Sequence, residues 1–105
     1  MQKDLSTIHQ LISNLFVWPQ SAKEWEPCKL SNEQVQSFRE NGFLSGVKML
    51  DEQQMDAIRK ALEEIADPMH PGHHLFYEFH SNESTDPNTI LFHALGAWRI
   101  APALH

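Results

Sequence analysis

At 105 residues the chain has the length of one domain, and folding can bury roughly two thirds of its unfolded surface, enough for one modest core. Apolar residues at 41% and charged residues at 21%, with no repeat or low-complexity tract, describe a globular protein and exclude disorder as the default. A net charge of -6 with only eight Lys plus Arg opposes the counterion release that holds proteins on nucleic acid or anionic lipid, so neither partner is expected.

The opening MQKDLSTIHQ lacks a basic start ahead of a continuous apolar core, and the longest apolar run, residues 15–18, is far too short to span a bilayer. A cytoplasmic protein is expected. Cys28 is the only cysteine, which excludes an internal disulfide and a cysteine zinc cluster. Beside Pro27 and outside any motif, it reads as an incidental thiol and not as a nucleophile.

Leu5, Ile8, Leu11, Ile12, Leu15 and Phe16 recur at helical spacing and predict an amphipathic helix over residues 4–16, ended by Trp18-Pro19. Without basic flanks, its apolar stripe suits packing on the protein's own body better than a membrane. Residues 20–29, which follow Pro19 and carry Pro27 just past Trp25, read as a connecting segment.

The next stretch, LSNEQVQSFRENGFL, carries both ends of a helix. Ser31 caps, Gln34 completes a capping box at the third helical position, and Leu30 can staple onto Val35. Gly42 can take the left-handed conformation that stops a helix, with Phe43 folding back toward Phe38. Residues 43–49 suit a brief extended piece around Gly46. The start signal then repeats: Asp51 caps, Gln54 answers, and Met55, Ile58, Leu62 and Ile65 form one stripe until Asp67-Pro68.

Farther on, residues 75–80 and 89–93 are strand candidates flanking the loop SNESTDPN, which fits an antiparallel hairpin. Pro102 suits the first turn of a helix, with Ile100 and Leu104 opening an apolar face. A helix needs several turns and a partner to be stable, so the end at His105 reads as the truncation of a longer protein.

From residue 30 to residue 65 the order of signals resembles the N-terminal region of the phytanoyl-CoA dioxygenase family, which belongs to the iron(II)- and 2-oxoglutarate-dependent oxygenases. Gly42, Phe43 and Leu44 match that family's stop into a strand, Gly46 its linker, and Leu50-Asp51 the start of its second helix. FHALGAWRIAPALH is similar to the segment leading toward the catalytic core, so the resemblance spans most of residues 30–105 and leaves 1–29 as an extension with an amphipathic helix and linker.

The resemblance implies an α+β fold, in which N-terminal helices and a β-hairpin lead into a double-stranded β-helix, a cupin-like jelly roll largely missing from this chain. It implies Fe(II) and 2-oxoglutarate as cofactors of the full-length enzyme, which would hydroxylate an unactivated carbon of a small organic or acyl substrate. The family's ligands are His-x-Asp and a distant second His, with a basic residue beyond. No histidine here is followed two positions later by Asp or Glu. No catalytic, cofactor-binding or metal residue is therefore assigned, and this chain alone is expected to be inactive and to bind neither cofactor.

Other residues invite chemistry without a recognised motif. His70, His73, His74 and His80 are possible metal ligands, yet MHPGHH reads as a turn with only Glu78 as a nearby acid. His80 and Glu83 form no known triad, and His93 reads as packed or hydrogen-bonded. Trp98 and Arg99 read as an aromatic anchor beside a solvated cation. Glu83 and Asp86 lack the ligand spacing of a calcium loop. The alternative to the oxygenase fragment is a freestanding, non-catalytic interaction module, suggested by the amphipathic helices and acidic surface.

Overall fold

Ser31 opens the most fully capped helix of the computed structural model, which describes residues 2–105. Its hydroxyl accepts from the Gln34 amide at 3.1 Å, and the Gln34 side-chain oxygen accepts from the Ser31 amide at 2.8 Å. Two of the amides that a helix start leaves without partners are thereby satisfied. Helix α2 (Asn32–Asn41) follows and ends at Gly42, whose φ of +77° lets its N–H reach the Phe38 carbonyl at 2.8 Å. Ahead of it, the expected connecting segment contains a single helical turn, α1 (Ala22–Trp25), capped by Ser21, and a 3-10 turn Glu26–Cys28. Residues 17–51 form one compact unit.

The extended piece expected over residues 43–49 acquires no ladder partner, and no strand forms there. A lone extended segment has no neighbouring backbone to bond, so its apolar content is not enough to make it a strand.

The second compact unit joins residues 2–16 to residues 52–105. The apolar spacing of residues 4–16 does not yield the expected helix. Only Leu5–Thr7 turns, as a 3-10 helix. Short polar side chains compete for the backbone there: Asp4 accepts from the Ser6 amide at 2.9 Å, and Ser13 from the Leu15 amide at 3.4 Å. Such local bonds offer an alternative to the helical ladder.

Helix α3 (Glu52–Ala66) supplies the wall of the core. Ala61 and Ile65 are buried with Ile100 and Ala101, and Leu75, Phe76, Phe92 and Leu104 pack around them. The buried face is rotated from the predicted stripe, because Leu62 is 38% exposed while Ala61 points inward. The methyl of Ala61 suits a close approach by the 3-10 turn Pro102–Leu104, which packs against α3.

Strands β1 (Glu78–His80) and β2 (His93–Leu95) pair antiparallel, with Glu78 opposite Leu95, Phe79 opposite Ala94 and His80 opposite His93. The hairpin is as expected, but both strands are shorter. Residues 73–75 form a 3-10 turn instead of strand, and residues 89–92 stay outside the ladder, where the loop takes up their backbone groups: the Leu91 amide donates to the Asn82 side chain, the Leu91 carbonyl accepts from the Glu83 amide, and the Thr89 amide donates to the Asp86 carbonyl. The architecture is α+β, and among the described residues this two-stranded sheet is the only one.

Candidate functional site

Alternation along a strand puts Glu78 and His80 on one face of β1 and Phe79 on the other. Phe79 meets Phe76, Phe92 and His73, with ring centroids 5.1, 5.5 and 4.3 Å away. That apolar cluster fixes which face turns outward. The register then sets His93 beside His80, their ring centroids 5.6 Å apart.

A fourth group, Glu83, arrives from the loop, which is tied at several points. The Asn82 side-chain oxygen accepts from the amides of Ser84 and Leu91, both at 2.9 Å, and the Glu83 amide donates to the Leu91 carbonyl at 2.8 Å. Deeper in the loop, Asp86 accepts from the Asn88 amide at 2.9 Å and from the Thr89 hydroxyl at 3.1 Å. The Asn88 amide first, and then the Thr89 hydroxyl, hold the Asp86 carboxyl below its ordinary value. Asp86 thus braces the loop and is not a free ligand.

Within the resulting cluster, His80 Nε2 lies 2.8 Å from Glu78 Oε1 and 3.8 Å from Glu83 Oε1, and His93 Nδ1 lies 3.3 Å from Glu83 Oε2. One ligand atom from each of the four residues falls within 4.8 Å of all the others. The hydrogen bond from His80, reinforced by the nearby His93, holds the Glu78 carboxyl below its ordinary value. Among the described residues this is the one group of His, Cys, Asp and Glu donors gathered so closely.

The histidines singled out earlier are dispersed. His73 Nε2 sits 3.2 Å from the Ile65 carbonyl, His74 Nδ1 is 3.0 Å from the Pro71 carbonyl, and His70 Nδ1 accepts from the Gly72 amide at 3.0 Å. His70 and His74 bond within their own turn, His73 reaches back to α3 and packs on Phe79, and of the four only His80 enters the cluster. His93, Glu83 and Glu78 complete it.

Arg99 departs from the solvated cation expected of it. Its guanidinium pairs with both Asp4 oxygens, donates to the Leu75 carbonyl at 2.8 Å, and lies 4.7 Å from the Tyr77 ring centroid. Its role is to hold chain segments together. Cys28 is exposed, with its sulfur 3.9 Å from the Glu24 carbonyl. An open cleft of about 570 Å³ runs beside α3 between Leu5, Ile65 and Ile100, with Lys60 and Glu64 on its lining; it holds no comparable donor set.

The donors do not fit the iron site that the family resemblance implies. The acid Glu78 precedes His80 where the family places it after its histidine, and a two-stranded hairpin offers no barrel interior. No step of oxygenase chemistry is assigned to these residues. No helix among the described residues is long and apolar enough to cross a membrane. No family model, curated protein or solved structure matches the chain.

Proposed function

We propose that this chain is the N-terminal scaffold of a cytoplasmic oxygenase resembling the phytanoyl-CoA dioxygenase family, with the jelly roll and the metal ligands in further sequence. The observation supporting this reading is the order of local signals from residue 30 to residue 66. A capping box at Ser31 starts α2, a left-handed Gly42 stops it, and α3 begins directly after Leu50-Asp51. The apolar hairpin residues Tyr77, Ile90, Leu91 and Leu95 are each more than half exposed, a surface that suits coverage by additional β-structure.

In such an enzyme, bound iron(II) and 2-oxoglutarate supply the hydroxylation of an unactivated carbon in a small organic or acyl substrate. The residues of this chain contribute packing: α3 and the hairpin brace the first strands of the core.

The test is to isolate the native gene product, determine its intact mass and sequence, and follow succinate formation from 2-oxoglutarate with iron(II) and oxygen. The reading expects a longer polypeptide carrying His-x-Asp and a distant His, whose replacement abolishes succinate formation. A native product ending at His105 that makes no succinate would overturn this reading, and its cooperative unfolding together with a protein partner recovered by pull-down would support the interaction module instead.

A further inference from the structure

We infer that Glu78, His80, Glu83 and His93 form a binding site for a divalent cation of the zinc class, which clips the two strands of the hairpin to their connecting loop. This inference is independent of the oxygenase reading, since it rests on the geometry of the hairpin alone.

The donor chemistry selects the class. Two imidazoles with two carboxylates suit zinc and its neighbours, whereas calcium and magnesium prefer an all-oxygen shell. Zinc bonds of about 2.0–2.1 Å in a tetrahedron put neighbouring ligand atoms about 3.3 Å apart. The His93–Glu83 separation of 3.3 Å already has this value, His80–Glu83 at 3.8 Å needs a slight closing, and His80–Glu78 at 2.8 Å a slight opening. The two Glu83 distances are to different oxygens of its carboxylate, and every remaining pair of ligand atoms lies within 4.8 Å. The four side chains are 38–50% exposed, so a cation can enter without backbone opening.

Electrostatics and preorganisation point the same way. The cluster brings two carboxylates within 4.8 Å of each other, a pair of negative charges that a bound cation would neutralise directly. Strand register fixes His80 against His93, and the Asn82 bonds fix the segment carrying Glu83. The backbone cost of assembling the site is therefore met by the fold before the cation arrives.

The test uses tag-free protein of residues 1–105, titrated with Zn(II) by calorimetry and with Co(II) by visible absorption, which reports tetrahedral coordination. One equivalent should bind and raise the melting temperature. His80→Ala and His93→Ala should each weaken binding by more than about a hundredfold, since even groups that only orient metal ligands are worth about 10–100-fold. His74→Ala, outside the cluster, should leave affinity unchanged. Glu83→Gln preserves side-chain size and backbone bonding, so it must weaken binding even where an alanine variant fails to fold. Equal affinity in the wild type and Glu83→Gln, or no binding by the wild type, would overturn the inference and leave the four residues as an imidazole–carboxylate ion-pair cluster.

Discussion

Arg99 grips Asp4 with both arms of its guanidinium: Nη2 lies 2.5 Å from Oδ2 and Nε 3.2 Å from Oδ1, across 95 positions of sequence. The two side chains are only 17% and 32% exposed, and the same Arg99 holds the Leu75 carbonyl. This one cation therefore links the first residues, the approach to β1 and the last turns of the chain. Its planar fork matches a carboxylate in a way an ammonium does not.

The pair makes the unit acid-sensitive in a defined direction. Hydrogen bonds from Arg99 first, and then from the Ser6 amide, hold the Asp4 carboxyl far below its ordinary value. A carboxyl with a lowered folded-state pKa contributes stability above its unfolded value of about 3.9 and loses that contribution as pH falls toward the folded value. Asp4→Asn should lower the melting temperature at pH 7 and flatten its decline below about pH 4. Arg99→Lys should also destabilise at pH 7, because it keeps the charge without the fork. Parallel melting curves for wild type and Asp4→Asn from pH 7 to pH 2 would contradict this account.

Two glycines separate conformational strain from collision. Gly42 and Gly96 both have positive φ, +77° and +96°. A Cβ on Gly42 would meet nothing within 4 Å, whereas on Gly96 it would meet Tyr77 Cδ2 at 2.9 Å. Gly42→Ala should cost only the left-handed penalty of about 1–2 kcal/mol. Gly96→Ala should cost more, because Tyr77 is also held by its amide on the Leu95 carbonyl at 2.9 Å and by the stacked Arg99. Denaturant unfolding of the two variants checks the order, and an equal loss in both would show that Tyr77 moves aside freely.

The rotated face of α3 is testable in the same way. Leu62 and Ile65 both lie on the stripe read from spacing, yet Ile65 is fully buried while Leu62 is partly in water. Ile65→Ala should cost about 2–5 kcal/mol, a large share of the roughly 5–15 kcal/mol that holds a domain together. Leu62→Ala should cost well under half as much. A larger loss at Leu62 would centre the core on the Leu62 side of α3, away from Ala61.

What was legible in the sequence was local. Ser31, Gln34 and Gly42 lie within a dozen residues, and the bonds that start and stop α2 need no distant partner. The same holds for the end of α3 ahead of Asp67-Pro68. The helix predicted over residues 4–16 fails because periodicity ignores the competing bonds of Asp4 and Ser13. Arg99 reads as solvated because its partner lies near the other end of the chain. The donor cluster depends on register: a hairpin drawn with strands 75–80 and 89–93 sets residue 89 opposite His80, whereas the observed ladder sets His93 there. The alternation of Glu78 and His80 was a visible signal, but it names a face and not what faces it.

Asn82 is the residue that converts that register into a site, and it can be altered without touching any donor. Its side-chain oxygen accepts from Ser84 and Leu91, joining the start of the loop to its return. Asn82→Ala removes both bonds, at about 1 kcal/mol each, and leaves Glu83 on a looser segment. Amide exchange should accelerate at Ser84 and Leu91, and at Glu83, whose own bond to Leu91 depends on the same closure. Amides inside α3 should be unaffected, because the core around Ile65 does not use this loop. Asn82→Asp keeps an oxygen in place and should restore most of the protection. Hydrogen exchange followed by NMR distinguishes the cases: unchanged protection at Leu91 in Asn82→Ala would mean that the strands alone hold the loop closed, and equal acceleration in α3 would mean that the hairpin and the core open as one unit.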